Sequence, residues 1–524
     1  MSSLFLCVQA FKKGLSGFRD WLAGSRFRLC DLVGVAFYGV IIGFGIWHHE
    51  PWSDEALPWM IARDTDLPGF LGIILQNWDR HPGLFHTLLL PFAKFGFPYF
   101  AQTVLNGFFA LAVAAIFMTK APFPRFFRYL FLFSFYMLYE YSVITRPYML
   151  AILLLFMIAA FYSKRSEKPL TYAALITLLL HSDYIVFGLA VGLIAAFLFE
   201  HRHQVEKSWR LWGALAIMVL NAVWVFGMGC FLPLSHQEHG QKLLFHMQNI
   251  IQPIANAFFP FSDQVVYSSL ILPAALWGGV LVLILVFIAI RKNLSAILIL
   301  GSALSYLFSV FSFLHRGDYR HHGFILLSVI FVLWITSEAL EPERAGRGLR
   351  GWLSPRAVAL ALLSLFLALG LRNDLFVYQQ EYFLPFSGAK DMALAIRRLE
   401  KEHGVFDKGY VIVANHKKSV ALMPYLPGVK FWSPCERDYA PYYVNTKTTG
   451  ACGELSLYDV ILRTQQHFGD LSKVLFLFDR PIPVERDATY DYQKVYTAGA
   501  GAFGYMYETF YLYRALPRAL RPSR

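Results

Sequence analysis

Long apolar runs separated by short polar segments dominate the chain from about residue 32 to residue 372. Most of these runs hold about 17–24 residues, which is the length that a helix needs to cross the hydrocarbon core of a membrane. Spans are predicted at 33–48, 100–119, 129–144, 147–163, 170–180, 184–200, 211–229, 267–290, 294–314, 323–340 and 355–371. The pattern therefore predicts a polytopic α-helical membrane protein with about eleven transmembrane helices.

One apolar piece does not fit a regular span. Residues 84–98 form a short run that ends at Gly96-Phe97-Pro98. The polar segment 49–83 is predicted to lie outside and the basic segment Lys120 to Arg128 inside, so an odd number of crossings must separate them. Irregular or short segments at membrane depth are tolerated only against protein or a wet cavity. Residues 84–98 are therefore predicted to be half-inserted or juxtamembrane.

The two ends of the chain lack spans. Residues 1–31 are polar and basic, and no cleavage site follows the first apolar run, so a cytoplasmic amphipathic lead-in is predicted rather than a signal peptide. Residues 373–524 are predicted to form a small extracytoplasmic α/β domain. Its predicted elements are a helix at 390–403 and strands at 409–414, 474–478 and 505–513.

Composition and charge agree with a membrane protein. The chain is 56% hydrophobic and only 16% charged, whereas soluble proteins carry roughly 25% charged residues. The net charge of +12 lies largely in short segments between apolar runs. This is the pattern that places basic loops in the cytoplasm, and it argues against a nucleic-acid-binding surface.

The cysteines do not predict a metal site. None of the five forms a Cys-x-x-Cys pair, the spacing that is typical of zinc ligands. Cys435 and Cys452 both lie in the predicted external domain, where they could form a disulfide or remain as two thiols.

The most informative polar stretch follows the first span. It contains the acidic pair Asp54-Glu55, and a carboxylate at the membrane edge can act as a general base, hold a cation, or stabilise a helix start. Arg80, His81 and His86 lie on the same loop or at its exit. Because His81 precedes a proline that opens the next apolar segment, its imidazole is expected at the membrane interface.

Two further polar positions lie at predicted external ends of spans. Arg146, in Thr-Arg-Pro-Tyr, opposes the usual charge bias. It could extend to lipid headgroups, or it could point into the bundle with Tyr148 and bind a phosphate through two hydrogen bonds. His181 and Asp183, at the end of the shortest span, could reach the same cavity.

A later external segment, His315 to His322, is rich in basic and imidazole side chains. His321 and the histidine after it are adjacent and would not easily face one metal ion from a helix. Phosphate neutralisation by Arg316 and Arg320 fits the segment better, and a purely structural polar loop is the alternative.

These motifs together resemble the GT-C membrane glycosyltransferases, in the branch that holds protein O-mannosyltransferases and lipid A aminoarabinose transferases. The resemblance implies a polyprenyl-phosphate-linked sugar as donor and inverting transfer to a hydroxyl on a lipid, glycan or protein. It places the reaction on the extracytoplasmic face of a bacterial inner (plasma) membrane. No nucleotide-binding glycine loop occurs, which fits a lipid-linked donor.

The resemblance also implies roles for individual residues. Asp54 would be the catalytic base, Glu55 would orient it or the acceptor, and Arg146 with Arg316 or Arg320 would bind the donor phosphate. Substrate contacts are expected from Arg80, His81, His86, Tyr148, His181, Asp183 and His321. No metal ligand set is predicted and no cofactor is certain, although two adjacent carboxylates leave a divalent cation open.

Three alternatives remain at this point. A transporter or flippase of lipid-linked glycans would use the same cavity and arginines but would need no base. An O-antigen ligase or polymerase would carry its key residues in a large late external loop. A scaffold would use its external domain only to bind a partner.

Overall fold

The structure is a computed structural model that describes residues 29–77, 79–204, 208–230, 248–260, 271–337, 354–414, 417–440, 455–482, 489–504 and 507–518. Within these ranges the chain forms a helical bundle followed by an α/β domain. The predicted lead-in before residue 29 lies outside the described residues.

The bundle is built from helices of very different lengths. Its first half contains α1 (Leu29–His48), α2 (Ser53–Asp64), α3 (Leu67–Leu75), α4 (Leu84–Lys94), α5 (Ala101–Lys120), α6 (Arg125–Leu132) and α7 (Pro147–Phe161). Its second half contains α8 (Pro169–Ser182), α9 (Phe187–His201), α10 (Trp209–Cys230), α11 (Gln248–Phe258), α12 (Ile271–Ile290), α13 (Leu294–Ser309), α14 (Tyr319–Ile335) and α15 (Pro355–Phe383).

The predicted class of polytopic membrane protein is confirmed. Among the described residues, 8 helical segments are long and apolar enough to cross a membrane, and three shorter apolar helices, α4, α8 and α14, accompany them. Helix α4 has 11 residues, so it is about 16 Å long and covers about half of a hydrocarbon core. Its short length is consistent with the prediction that this piece does not cross fully, which stays a prediction.

The continuous span predicted at 129–144 is wrong. Helix α6 ends at Leu132, and a short π-helix follows at Tyr136–Glu140. Between them, the Ser134 hydroxyl donates a hydrogen bond to the carbonyl of Phe131 at 2.7 Å, and such local bonds compete with the regular helix ladder. The irregular backbone that continues to Arg146 is buried within the protein, where non-helical segments are tolerated.

The C-terminal domain is an α/β domain, as predicted. It contains helices α16 (Ala389–His403) and α17 (Leu457–Phe468) and strands β1 (Val411–Ala414), β2 (Phe431–Ser433), β3 (Asp438–Ala440), β4 (Val474–Phe478), β5 (Tyr490–Ala498) and β6 (Phe510–Pro517). The strand order is β3-β2-β1-β4-β6-β5. Strand β1 pairs in parallel with β2 and β4, and the other pairs are antiparallel.

The last strand begins later than the prediction at 505–513. Strand β6 starts at Phe510 because Tyr507 adopts a left-handed backbone with φ 45° and the following Glu508 turns towards the bundle. The sequence pattern also missed β2, β3, β5 and α17. The predicted start of β6 at residues 505 and 506 lies outside the described residues.

The two parts of the molecule meet around α2. Two 3₁₀ turns of the C-terminal domain, Lys417–Ala421 and Met423–Tyr425, pack against this helix. The sequence predicted only a short helix at Pro58–Arg63 along the membrane interface, but α2 starts at Ser53 and is buried along most of its length. Helix α15 continues through the predicted domain boundary at 372/373, which therefore falls inside a helix.

The sequence left open whether Cys435 and Cys452 form a disulfide, and the structure describes only the first of them. Cys435 is disulfide-bonded, and Cys452 lies outside the described residues. A disulfide in this domain is typical of an oxidising compartment.

Candidate active site

The two acidic residues at the start of α2 have different surroundings. The Glu55 side chain is fully buried and accepts hydrogen bonds from the backbone amides of Trp52 at 3.2 Å and Thr145 at 2.5 Å. The Asp54 side chain remains 17% exposed. Glu55 is buried and accepts two backbone amides, so it fixes the start of α2, while Asp54 is the carboxylate that an incoming molecule can reach.

A buried histidine connects Glu55 to the last membrane helix. Nε2 of His49 lies 2.9 Å from Glu55, and its Nδ1 lies 3.1 Å from Glu381 on α15. Tyr139 also donates a hydrogen bond to Glu381. Burial lowers the pKa of His49, but the two flanking carboxylates outweigh burial and raise it to about 10. His49 is therefore an imidazolium that holds two buried carboxylates together.

Replacement of His49 by alanine is expected to destabilise the protein by about 3–5 kcal/mol, because Glu55 and Glu381 would then lie buried without their shared cation. The raised pKa means that this contribution is complete below about pH 6.5 and is lost as the pH rises through about 10. Unfolding measured in detergent micelles across this pH range checks both points. The neighbouring His48→Gln variant is the control, and an equal loss of stability in both variants would contradict the expectation.

Arg146 is buried next to Asp54. Its guanidinium donates hydrogen bonds to the backbone carbonyl of Asp54 and, at 2.9 Å, to Nε2 of His81. Burial lowers the pKa of Arg146, but the nearby Asp54 carboxylate and other groups raise it overall. Its Nε is buried and has no hydrogen-bond partner among the described residues.

The contact with Arg146 indicates the tautomer of His81. A guanidinium only donates, so Nε2 of His81 must be the unprotonated nitrogen, and its proton sits on Nδ1. Nδ1 lies 3.1 Å from Oδ2 of Asp183. Asp183 therefore lies behind the imidazole that accepts from Arg146.

A second arginine approaches from α14. Nη2 of Arg320 lies 3.6 Å from the Asp54 carboxylate and 3.2 Å from Asp318. The guanidinium also lies 5.1 Å from the centre of the Trp52 ring, a geometry in which a cation is attracted to the aromatic face. Arg320, and not the exposed Arg316, is the arginine of this segment that faces Asp54.

Tyr148 and His321 form the next contact along α7 and α14. The Tyr148 hydroxyl lies 3.1 Å from Nε2 of His321, and Nδ1 of His321 accepts the backbone amide of Asp318 at 2.9 Å. Because Nδ1 accepts, Nε2 carries the proton and donates to Tyr148. The structure therefore brings these two predicted substrate contacts together beside Arg320.

Other predicted site residues lie at the edge of this cluster. His86 pairs with Asp79 at 2.7 Å, and that contact, with nearby positive charge, lowers the pKa of Asp79 against the opposing effect of burial. His181 lies 3.1 Å from Asn221. Arg80 is exposed on a turn with φ 58°. Among the described residues, no group of three His, Cys, Asp or Glu side chains is placed to hold a metal ion.

Sequence reasoning missed three residues that support the acidic pair. His49 stands in the same polar stretch, which was the only available signal. Glu381 lies 332 residues after His49 in the sequence. Glu508, whose carboxyl accepts the Ser53 amide, lies 455 residues after Ser53. No local pattern marks contacts over such distances.

Basic side chains gather at the opposite end of the bundle. This end contains Lys120, Arg125, Arg128, Lys164, Arg165, Lys168, Arg202, Arg210, Arg291, Lys292 and Arg356. Arg125 pairs there with Asp31 at the start of α1, and Arg165 pairs with Glu200 near the end of α9. The candidate site and the C-terminal domain therefore share the less basic end.

Comparison with known proteins is informative at the level of structure. No protein-family model and no curated protein sequence matches the chain. Among solved structures, it is similar to the crystal structure of ArnT from Cupriavidus metallidurans bound to undecaprenyl phosphate, with a TM-score of 0.51 and 10% identity. The match covers 92% of this chain and 97% of that one. The chain therefore has the GT-C fold of ArnT that its motifs predicted.

Proposed function

We propose that this protein is an inverting glycosyltransferase that moves a sugar from a polyprenyl-phosphate donor to an acceptor hydroxyl, with Asp54 as general base. The carrying observation is a partly open carboxylate with one arginine 3.6 Å away and a second held against its backbone. A proton acceptor beside two phosphate-binding cations is what such a reaction needs. The ArnT-like fold supports the same assignment.

The chemistry follows from these positions. An alcohol is a poor nucleophile at neutral pH, so Asp54 removes the hydroxyl proton as the oxygen attacks the anomeric carbon. The bond from that carbon to the lipid phosphate breaks from the opposite face, which inverts the configuration. Arg146 and Arg320 neutralise the charge that develops on the leaving phosphate, where a partly dry setting makes fixed cations effective.

The carboxylate at position 55 has a different role in this proposal. Glu55 accepts two backbone amides and faces His49, so it holds α2 rather than the substrate. This supports the predicted orienting role, and it leaves Asp54 as the single base.

An open, mostly apolar cavity beside the site has room for part of a prenyl chain. It has a volume of about 280 Å³ and lies between α3, α4, α8 and α10. Its lining consists of Ile74, Leu75, Pro82, Gly83, Leu84, Thr87, Leu178, His181, Trp224 and Met228. Pro82 directly follows His81, so a lipid tail in this cavity would bring its phosphate towards Arg146.

Sidedness follows from charge and redox chemistry. Basic loops remain in the cytoplasm, so the basic end of the bundle faces inside and the N-terminus is cytoplasmic. The active site and the C-terminal domain then face the extracytoplasmic side, where the disulfide of Cys435 is expected. We place the protein in a bacterial inner membrane, crossing it many times.

Mass spectrometry tests the proposal and identifies the substrates. Lipids, glycans and proteins of the cell envelope are compared between cells that carry the wild-type protein and cells that carry Asp54→Asn. A sugar that is missing from one fraction in the variant names the donor and the acceptor class. Unchanged envelope sugars, together with unchanged movement of a lipid-linked sugar across the membrane, would instead support a transporter.

The two arginines that the sequence left open are expected to differ. Arg320→Ala should lower kcat by about 10²-fold, because it removes a cation next to Asp54 and the leaving phosphate. Arg316→Ala should stay within about threefold of wild type, as exposed substitutions usually do. Steady-state transfer rates of both purified variants check this, and equal losses would show that the phosphate site is placed wrongly.

A further inference from the structure

The C-terminal domain contributes one carboxyl group to the surroundings of Asp54. Glu508 lies just before β6 and is 1% exposed. Its Oε1 accepts a hydrogen bond from the backbone amide of Ser53 at 3.0 Å. Ser53 is the first residue of α2 and directly precedes Asp54. A side chain from the end of the protein therefore holds the start of the helix that presents the base.

Neighbouring contacts fix Glu508 itself. Its Oε2 lies 2.6 Å from the hydroxyl of Ser387, and its backbone carbonyl accepts the amide of Gly388 at 2.9 Å. A Cβ on Gly388 would lie only 2.6 Å from the backbone of Gly499. The backbone at Gly388 and the backbone at Gly499 are therefore packed too closely to admit a side chain at Gly388. Tyr507, with φ 45°, provides the turn that points Glu508 at α2.

We propose that Glu508 is a positioning residue for Asp54, so that the C-terminal domain completes the active site. The inference rests on the proposed function, because its effect is measured on sugar transfer. A shift of about 1 Å in a reacting group can cost about 10²-fold in rate. Without Glu508, the Ser53 amide would be buried without its acceptor, since Ser53 is itself 1% exposed, and the helix start would move to find another.

The protonation of Glu508 gives the contact a pH dependence. Burial raises its pKa to about 7, Asp54 adds to this effect, and hydrogen bonds from Ser387 and Ser53 oppose it. Tyr99 and Tyr425 are ionisable neighbours, and besides burial the charge of Glu508 helps to raise the pKa of both phenol groups. A carboxyl with a raised pKa holds its proton more tightly in the folded protein. Ionisation as the pH rises through about 7 therefore places a buried negative charge beside Asp54, although the ionised carboxylate accepts the Ser53 amide more strongly.

Glutamine separates positioning from general packing. In Glu508→Gln, the side-chain oxygen still accepts the Ser53 amide, and the NH₂ group takes the place of the Oε2 that accepts the Ser387 hydroxyl, so that hydroxyl must turn to accept instead. Glu508→Ala removes both bonds. Asp491→Asn is the matched control, because Asp491 is an acidic residue of the same domain that is 61% exposed at its side chain.

The experiment measures kcat, KM and the pH profile of sugar transfer by the full-length variants. Glu508→Ala should lower kcat by about 10- to 100-fold with little change in the KM for the donor. Glu508→Gln should stay within about threefold of wild type at pH 6, as Asp491→Asn should. Above neutral pH, the kcat of the wild type should decline as Glu508 ionises, whereas the kcat of Glu508→Gln should not.

A backbone variant gives a second route that leaves the C-terminal domain untouched. Proline is favoured at the first position of a helix; here it replaces the amide hydrogen by a ring carbon, which both removes the donor and displaces the Glu508 carboxyl. Ser53→Pro should therefore lower kcat as Glu508→Ala does, measured against Ser53→Ala, which keeps the amide. If Glu508→Ala unfolds at a lower temperature than the wild type, the kcat of Ser53→Pro tests the positioning role instead.

The two proposals fail in different ways. Wild-type kcat and an unchanged pH profile in both Glu508→Ala and Ser53→Pro would overturn the positioning role alone. Absence of sugar transfer by the wild-type protein, across the donors identified from the cell envelope, would overturn the proposed function.

Discussion

Asp54→Asn is expected to lower the rate of sugar transfer by about 10²–10⁴-fold while donor binding is retained, because the amide keeps the size of the side chain but cannot accept the hydroxyl proton. Arg146 contacts the backbone carbonyl of position 54 rather than its side chain, so this proposed phosphate-binding cation stays in place. Single-turnover transfer and equilibrium binding of a polyprenyl phosphate, measured on the same purified variant, separate the two effects.

A matched control exists on the same helix. Asp64 lies at the far end of α2, where it pairs with Arg63, and Asp64→Asn should stay within about threefold of wild type. Asp54→Glu should recover part of the lost rate, since it restores a base at a shifted position. Full transfer activity in Asp54→Asn would remove the base from the mechanism and would favour transport instead.

Arg146→Lys is expected to reduce kcat by about 10²–10³-fold although the positive charge is kept. The planar guanidinium contacts the carbonyl of Asp54 and Nε2 of His81 at the same time. A lysine ammonium is a compact point charge that cannot reproduce this fixed fork. Loss of the fork should also weaken binding of the donor phosphate, which titration with a polyprenyl phosphate measures.

The same substitution at another arginine provides the control. Arg165 pairs with Glu200 at the opposite, basic end of the bundle, and Arg165→Lys preserves that ion pair. Its rate should remain close to wild type. If both lysine variants lose activity equally, the loss at position 146 reflects damage to the bundle rather than to the phosphate site.

Much of the site could be predicted because its residues stand in short motifs. Asp54, His81 and Arg146 each lie next to the end of an apolar run, and the charge rule assigns those ends to one side. The structure brings these three together with Arg320, which the sequence named without distinguishing it from Arg316. Residues that open or close spans on one side of a membrane converge even when they are distant in sequence.

Other features could not be predicted, for physical reasons that apply to each. The first half of the span at 129–144 is apolar or aromatic apart from Ser134, so periodicity cannot reveal the π-helix that interrupts it at Tyr136–Glu140. Glu381 and Glu508 carry no local signal, because their function depends on tertiary contacts. The start of β6 was misplaced because alternation of aromatic and polar residues at Tyr507 resembled a strand, whereas that residue forms a turn.

The contact between Ser53 and Glu508 joins residues 455 positions apart, and this separation affects biogenesis. A ribosome at roughly 5–20 residues per second delivers the first membrane helices tens of seconds before the final strand. The nascent chain therefore contains Asp54 and Glu55 well before Glu508, which holds the start of α2, is synthesised. Under the proposed role of Glu508, sugar transfer reaches its full rate only once the C-terminal domain has folded against α2, so partly made protein would consume the lipid-linked donor slowly.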